Sequence, residues 1–185
     1  MTPIPVPEST HMAKLLIAEC REFIKVASEK AAEMGVPVSI AIVGPEGHLL
    51  ALERMDDAGF ITPDTAKAKA FTVAAFRSMS PRFSDGLVIQ HWFKERNPQM
   101  MANASVFTNG QIVASGGCAP IFKGDDMVGA YGISGATSGQ DEEIGQYARA
   151  QAGWAHMAAT DNTPESVKKH VNAIYESVGL KGRAL

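Results

Sequence analysis

The most informative part of the chain runs Ala119-Pro120-Ile121-Phe122-Lys123, then Gly124-Asp125-Asp126, then Met127-Val128-Gly129-Ala130-Tyr131-Gly132-Ile133. Two apolar runs of strand length flank a short polar turn that contains glycine. They read as antiparallel neighbours. Gly129 and Gly132 stand inside the second run, where glycine weakens a strand unless another backbone or a ligand comes close. Gly116-Gly117 precedes the first run, and Gly135 to Gly139 form a loop after the second. Tight helix-on-sheet packing and a glycine-lined pocket floor both fit this pattern. Gln140-Asp141-Glu142-Glu143 then opens a helix expected to run to about residue 157, and acids suit the positive end of the helix dipole.

Working outward, Val36, Val38, Ile40 and Ile42 alternate with Pro37, Ser39 and Ala41. A turn at Gly44-Pro45-Glu46-Gly47 and a return strand from His48 to Met55 complete a hairpin with one face on the core. Ser105 to Phe107 and Gln111 to Ala114 are expected to pair around Asn109-Gly110, a dipeptide suited to a type I′ turn. Before the first hairpin, Leu16, Cys20, Phe23, Ile24, Ala27, Ala31 and Met34 recur at helical spacing. This predicts a helix from near Thr10 that stops at Gly35 and Pro37. Thr62-Pro63-Asp64 has the hydroxyl cap, early proline and acid of a second helix, expected to reach about Met79. Phe83 to Asn97 is ambiguous, although Leu87, Val88, His91 and Trp92 fit a short helix ended by Pro98. Thr163-Pro164-Glu165 opens a last helix that Gly179 ends. Hairpins bracketed by helices indicate an α+β fold with a mainly antiparallel sheet. Pro3, Pro5 and Pro7 make residues 1–9 an extended arm, residues 10–158 form the domain, and residues 159–185 add a C-terminal helical extension.

The 185 residues suffice for one domain, with 45% hydrophobic and 20% charged residues. Net charge is −3 with the signs interspersed, so no basic face for nucleic acid is visible. The apolar runs are too short to span a membrane, and the first residues lack a signal-peptide pattern. Two cysteines make no disulfide scaffold, which points to a reducing, cytoplasmic setting.

No nucleophile elbow, Walker loop, His-Glu-x-x-His or Cys-x-x-Cys is present. None of His11, His48, His91, His156 and His170 has a second histidine or cysteine at metal-ligand spacing. Cys118 follows two glycines, where nearby free backbone amides would lower its pKa and make it a nucleophile. Cys20 belongs to an apolar stripe. Lys67 and Lys69 lie on the second expected helix. If they face a pocket, lysine there holds an acidic substrate or a propionate, and Arg54 and Arg77 add two-pronged grips on carboxylates.

Two stretches taken together carry a resemblance. One is Val38 to Val43, the turn to Gly47, Leu52-Glu53-Arg54-Met55-Asp56-Asp57-Ala58, then Asp64 and Lys69-Ala70. The other is Gly116-Gly117-Cys118-Ala119-Pro120-Ile121, Val128 to Ala136 and Gln140-Asp141-Glu142. The chain resembles the GlcG/HbpS-like family, which includes the C-terminal domain of PduO-type proteins, over about residues 10–158. The resemblance implies a profilin-like α/β/α arrangement, a five-stranded antiparallel sheet flanked by helices, and assembly into dimers or larger homo-oligomers. It also implies a small-molecule ligand, with haem or another tetrapyrrole leading because some relatives bind haem. On that reading His11, which otherwise is an exposed histidine at the first turn of the first expected helix, is the candidate axial metal ligand, and Arg54, Gly116, Gly117, Cys118, Pro120 and Gly135 line the ligand site. Phe60, Phe71, Met100, Met101 and Phe107 would supply an apolar slot. The rival is an isomerase, hydratase or hydrolase acting on a small carboxylated catabolite. There Asp57 or Asp141 serves as base and Lys69 or Arg54 anchors the carboxylate. A structural oligomer without turnover is a third reading. The sequence departs from the family pattern at His91 to Ala104, which looks inserted, at Cys118, and in the added tail after Thr160.

Overall fold

A computed structural model describes residues 13–77, 85–124 and 126–154. In chain order the elements are α1 (Ile17–Glu33), β1 (Ser39–Val43), β2 (Leu49–Arg54), α2 (Thr62–Phe76), α3 (Gly86–Arg96), α4 (Pro98–Phe107), β3 (Cys118–Lys123), β4 (Asp126–Ser134) and α5 (Ser138–Gln151). The strands form one antiparallel sheet in the order β2-β1-β4-β3. The expected arm, His11 and the C-terminal extension lie outside the described residues.

The antiparallel pair expected on either side of Gly124 is present as β3 and β4, with Ala119 opposite Tyr131 and Pro120 opposite Ala130. β3 is an edge strand. Pro120 is tolerated there because its missing N–H faces away from β4. The first hairpin also forms, but β1 is buried along its whole length, whereas β2 is the other edge and largely exposed. The expectation of one buried face therefore fails for β1. Its smaller residues, Ser39 and Ala41, lie on the side opposite Ile40 and Ile42 and are just as buried.

Among the described residues the sheet has four strands, not the five expected. The expected hairpin around Asn109-Gly110 is instead the end of α4. The Gly110 N–H bonds the Ser105 carbonyl at 2.7 Å and the Asn109 N–H bonds the Val106 carbonyl at 3.1 Å. With Asn109 at φ 53° and Gly110 at φ 79°, this is a Schellman termination. A type I′ turn and this helix end both need positive φ, so Asn-Gly satisfies either. Pro98 does end α3, but it also begins α4, where Asn97 Oδ1 caps the Met100 N–H. Residues 13–16 are not helical, and α1 starts at Ile17, later than expected. Thr62 is the first residue of α2 rather than its cap. Its hydroxyl donates to the Gly59 carbonyl and lies 2.7 Å from Ser39 Oγ. The loop at Gly135 to Gly139 is shorter than expected, because Thr137 caps α5 and Ser138 begins it.

Two apolar cores form from alternate residues of the strands. One joins Ile40, Ile42, Ile121, Tyr131 and Ile133 to Phe23 and Ile24 of α1, Ile144 of α5 and Trp154. Phe23 sits between the rings of Tyr131 and Trp154, at 4.9 and 5.2 Å between centroids. The other joins Val43, Cys118 and Ala130 to Ala70 and Val73 of α2 and to Ile89 and Phe93 of α3.

Candidate functional site

The second face of the sheet is built from small residues. A Cβ on Gly132 would stand 2.1 Å from the Ala66 carbonyl oxygen and 2.7 Å from the Ala70 amide nitrogen. Backbone therefore rests on backbone between α2 and β4, and this approach sets the position of Lys69. Lys69 Nζ donates to the Ile133 carbonyl at 2.7 Å and to Asp141 Oδ2 at 2.8 Å. Asp141 Oδ1 accepts the Ala136 N–H at 3.1 Å. Both residues are sealed from solvent, at 3% and 2% exposure. Burial raises the Asp141 carboxyl pKa, while the Lys69 ammonium and the Ala136 N–H pull part of that rise back.

Beside this pair lies a second buried polar chain. Glu142 Oε2 accepts the Gly117 N–H at 2.6 Å, and Gln146 Nε2 donates to Glu142 Oε1 at 2.7 Å. Arg149 Nη2 donates to Gln146 Oε1, and Arg149 Nη1 reaches Asp85 Oδ1 at 3.5 Å. Burial, and then the Asp85 charge, push the Glu142 carboxyl up. Burial works against the charge on Arg149, but the neighbouring acidic groups, Asp85 and Glu142 among them, outweigh it and hold its pKa up. Among the described residues, the Tyr131 hydroxyl and Arg149 Nε are buried without a hydrogen-bond partner. Burial drives the Tyr131 pKa upward, so the phenol keeps its proton.

The structure brings together some of the expected site residues and separates others. Lys69 and Asp141 meet, although 72 residues apart in sequence. Asp57 is exposed, at φ 65° in the turn after β2, and Arg54 Nε donates to the Ala58 carbonyl across that turn at 2.8 Å. Arg54 thus braces the loop into α2. On the side where a Cβ would stand, Gly116 meets Ser138, Gly117 meets Asp141 and Gly135 meets Pro37 and Val38. These glycines admit protein, as the packing reading of the sequence requires. Cys118 is fully buried and its thiol donates to the Ser115 carbonyl at 3.3 Å. Burial pushes this thiol far up, the reverse of the lowered pKa expected of a nucleophile. Pro120 is buried in β3. Phe60 is 85% exposed in the loop before α2, while Phe71 and Met101 pack against the second core. Among the described residues no cluster of three or more potential metal ligands occurs.

Sequence reasoning missed Asp85, Gln146 and Arg149. A signal was available: Glu142 and Arg149 are seven apart, and so share the inward face of α5 with Gly145 and Ala148.

Comparison with known proteins fixes the relationship. The model of a family described as "Haem degrading protein HbpS-like" matches residues 15–150. The chain belongs to the HbpS-like family. A 15.0 kDa protein from the dhaT-dhaS intergenic region of Citrobacter freundii is 29% identical over 142 residues, covering 76% of this chain and 94% of that protein. The corrinoid adenosyltransferase PduO of Salmonella typhimurium is 27% identical over 144 residues, covering 78% of this chain but only 40% of PduO. A solved PduOC:heme complex superposes with a TM-score of 0.66 at 22% identity, covering 80% of this chain and 99% of that one. This HbpS-like chain therefore shares its α+β fold with a protein that has been solved with haem. Among the described residues, no helix is long and apolar enough to cross a membrane.

Proposed function

We propose that this HbpS-like protein binds a small ligand and that the ligand is haem or a closely related tetrapyrrole. The observation that carries the reading is the family match over residues 15–150, together with the likeness to a haem complex across 80% of the chain. The described surface has suitable chemistry. Leu52 is exposed on the same side of β2 as Arg54, because their partners Ala41 and Ser39 share one side of β1, and Phe60 and Ile61 follow in the next loop, also exposed. An apolar surface beside a guanidinium suits a flat macrocycle that carries propionates. Arg54, Phe60 and Ile61 would hold such a group, and His11 would supply an imidazole nitrogen to its iron. Bound haem would supply an iron centre open to redox and ligand chemistry. The chain's own residues supply apolar cover and charge pairing at its edge. Two free cysteines, both buried, accord with a cytoplasmic setting.

The test is titration with haemin, followed by absorbance. A saturable Soret shift with a stoichiometric endpoint is expected. Arg54→Ala and Phe60→Ala should each weaken binding, and His11→Ala should change the Soret position as well. Non-saturating, detergent-sensitive absorbance alone would overturn the reading.

A further inference from the structure

We infer that α3 is fastened to α5 by a proton-controlled clasp. One guanidinium, Arg149, serves two buried carboxylates, Asp85 and Glu142, and loss of the proton from Glu142 loosens α3 and the α4 that follows it. Asp85, Glu142 and Arg149 are 5%, 5% and 7% exposed. Asp85 is the N-cap residue of α3, so its carboxylate ties the start of that helix to α5. The tie is long, with Arg149 Nη1 at 3.5 Å from Asp85 Oδ1. The backbone beside it has no slack. A Cβ on Gly86 would stand 2.2 Å from both Cys118 Sγ and the Ser115 carbonyl oxygen. The first residue of α3 therefore rests directly on the start of β3, next to the Gly117 N–H that Glu142 accepts.

Charge counting gives the direction. With a proton on Glu142, the clasp holds one cation and one anion. Without it, two anions share one cation in a place closed to water, where like charges repel strongly. The surroundings do not compensate. Among the described residues, α2 contributes Lys69, which is bound to Asp141 of α5, and α1 contributes Lys30, which pairs with Glu143 at 3.2 Å. Cys118 of β3 and Tyr131 of β4 keep their protons, and Gln146 of α5 is neutral. After burial, Asp85 is the strongest influence raising the Glu142 carboxyl, in accord with this count. Of the three elements that meet here, α3 is the one free to yield. β3 is hydrogen-bonded along β4, and α5 packs through Ile144 and Ala148 into the core it shares with α1. α3 rests on the second core through Ile89 and Phe93, apolar contacts that have no fixed direction.

Native-state hydrogen exchange of the full chain, read by mass spectrometry across about pH 5–8 and corrected for the intrinsic rate at each pH, tests the inference. Peptides within residues 86–107 should open more readily than α1 and β4, and with a weaker urea dependence, the mark of a local opening. Their opening constant should grow by up to about tenfold per pH unit above the ordinary glutamate range, then level off once the folded Glu142 has lost its proton. Glu142→Gln, neutral and of the same size, should erase that slope. Asp85→Asn should shorten the rising range, because the repelling charge is gone. Exchange of residues 86–107 only in step with α1, at equal protection and equal urea dependence, would overturn the inference. A wild-type opening constant that does not change with pH, or an unchanged slope in either variant, would do the same. Should Glu142→Gln fail to fold, the wild-type and Asp85→Asn profiles decide between these outcomes.

Discussion

The two faces of the sheet solve the packing problem by opposite means. On the α1/α5 side, bulk fills space: Phe23, Tyr131, Trp154 and a set of isoleucines interlock. On the α2 side, absence of bulk does so. Ala66, Ala70 and Gly132 let main chain lie on main chain, and the buried ammonium of Lys69 reaches past the end of β4 to Asp141. The first arrangement draws on apolar area, which is non-directional. The second depends on specific partners at short range. It should therefore be the less forgiving of change, even though fewer large side chains take part.

Removing one member of the buried ion pair makes the sharpest test of that contrast. Lys69→Met strands the Asp141 carboxylate and should lower the free energy of unfolding by about 3–5 kcal/mol in urea titrations. The double variant Lys69→Met/Asp141→Leu should recover much of the loss. If the single substitution costs under ~1 kcal/mol, the idea of a partner-dependent face is wrong. Phe23→Ala probes the other side, and a loss of about 3–4 kcal/mol is expected there. Phe23→Leu should cost far less, because apolar contacts can be re-formed with a different shape. Gly132→Ala comes next, at about 1–3 kcal/mol, since the added methyl must push α2 off β4. Hydrogen exchange localised to α2 would show where that strain is released.

The pH dependence is a smaller effect. Burial raises the Glu142 carboxyl above its unfolded value, so the folded chain holds that proton more tightly than the unfolded one. Stability from this group is therefore fully present below the ordinary glutamate range. It declines as pH rises from there through the raised folded value. Glu142→Gln should flatten that decline, and urea midpoints measured across the mildly acidic range would show it. Cys118 gives the least visible effect of all. With its thiol buried and protonated, alkylation mapped by mass spectrometry should leave it unmodified in the native protein and label it only after unfolding.

Much of this architecture was legible in the residues, because period and punctuation are local. The stripe from Cys20 to Ala31, the β3–β4 pair and the Thr62-Pro63 helix start can each be read within a dozen positions. The α4 terminus misled because Val106-Phe107 favours strand and Asn109-Gly110 suits two structures that share one backbone requirement. Lys69 and Asp141 could each be picked out as chemically capable. Their meeting, and their sealing from water, depend on how α2 settles on β4, which no local pattern encodes. Asp57 and Arg54 looked equally capable and ended in an exposed turn. Burial, a tertiary property, separates the two pairs. The inward run of Glu142, Gly145 and Arg149 was within reach, but only once the helix was read as a helix with polar groups on its buried side.

The main-chain contact between α2 and β4 has a mechanical corollary. A layer of interdigitated side chains yields by changing rotamers and absorbs small displacements. Two backbones in direct contact have no such cushion. The Phe60-Ile61 loop leads straight into α2, and Lys69 bolts α2 to the first turn of α5. A push on those two exposed side chains is thus delivered along a stiff lever to the opposite side of the sheet.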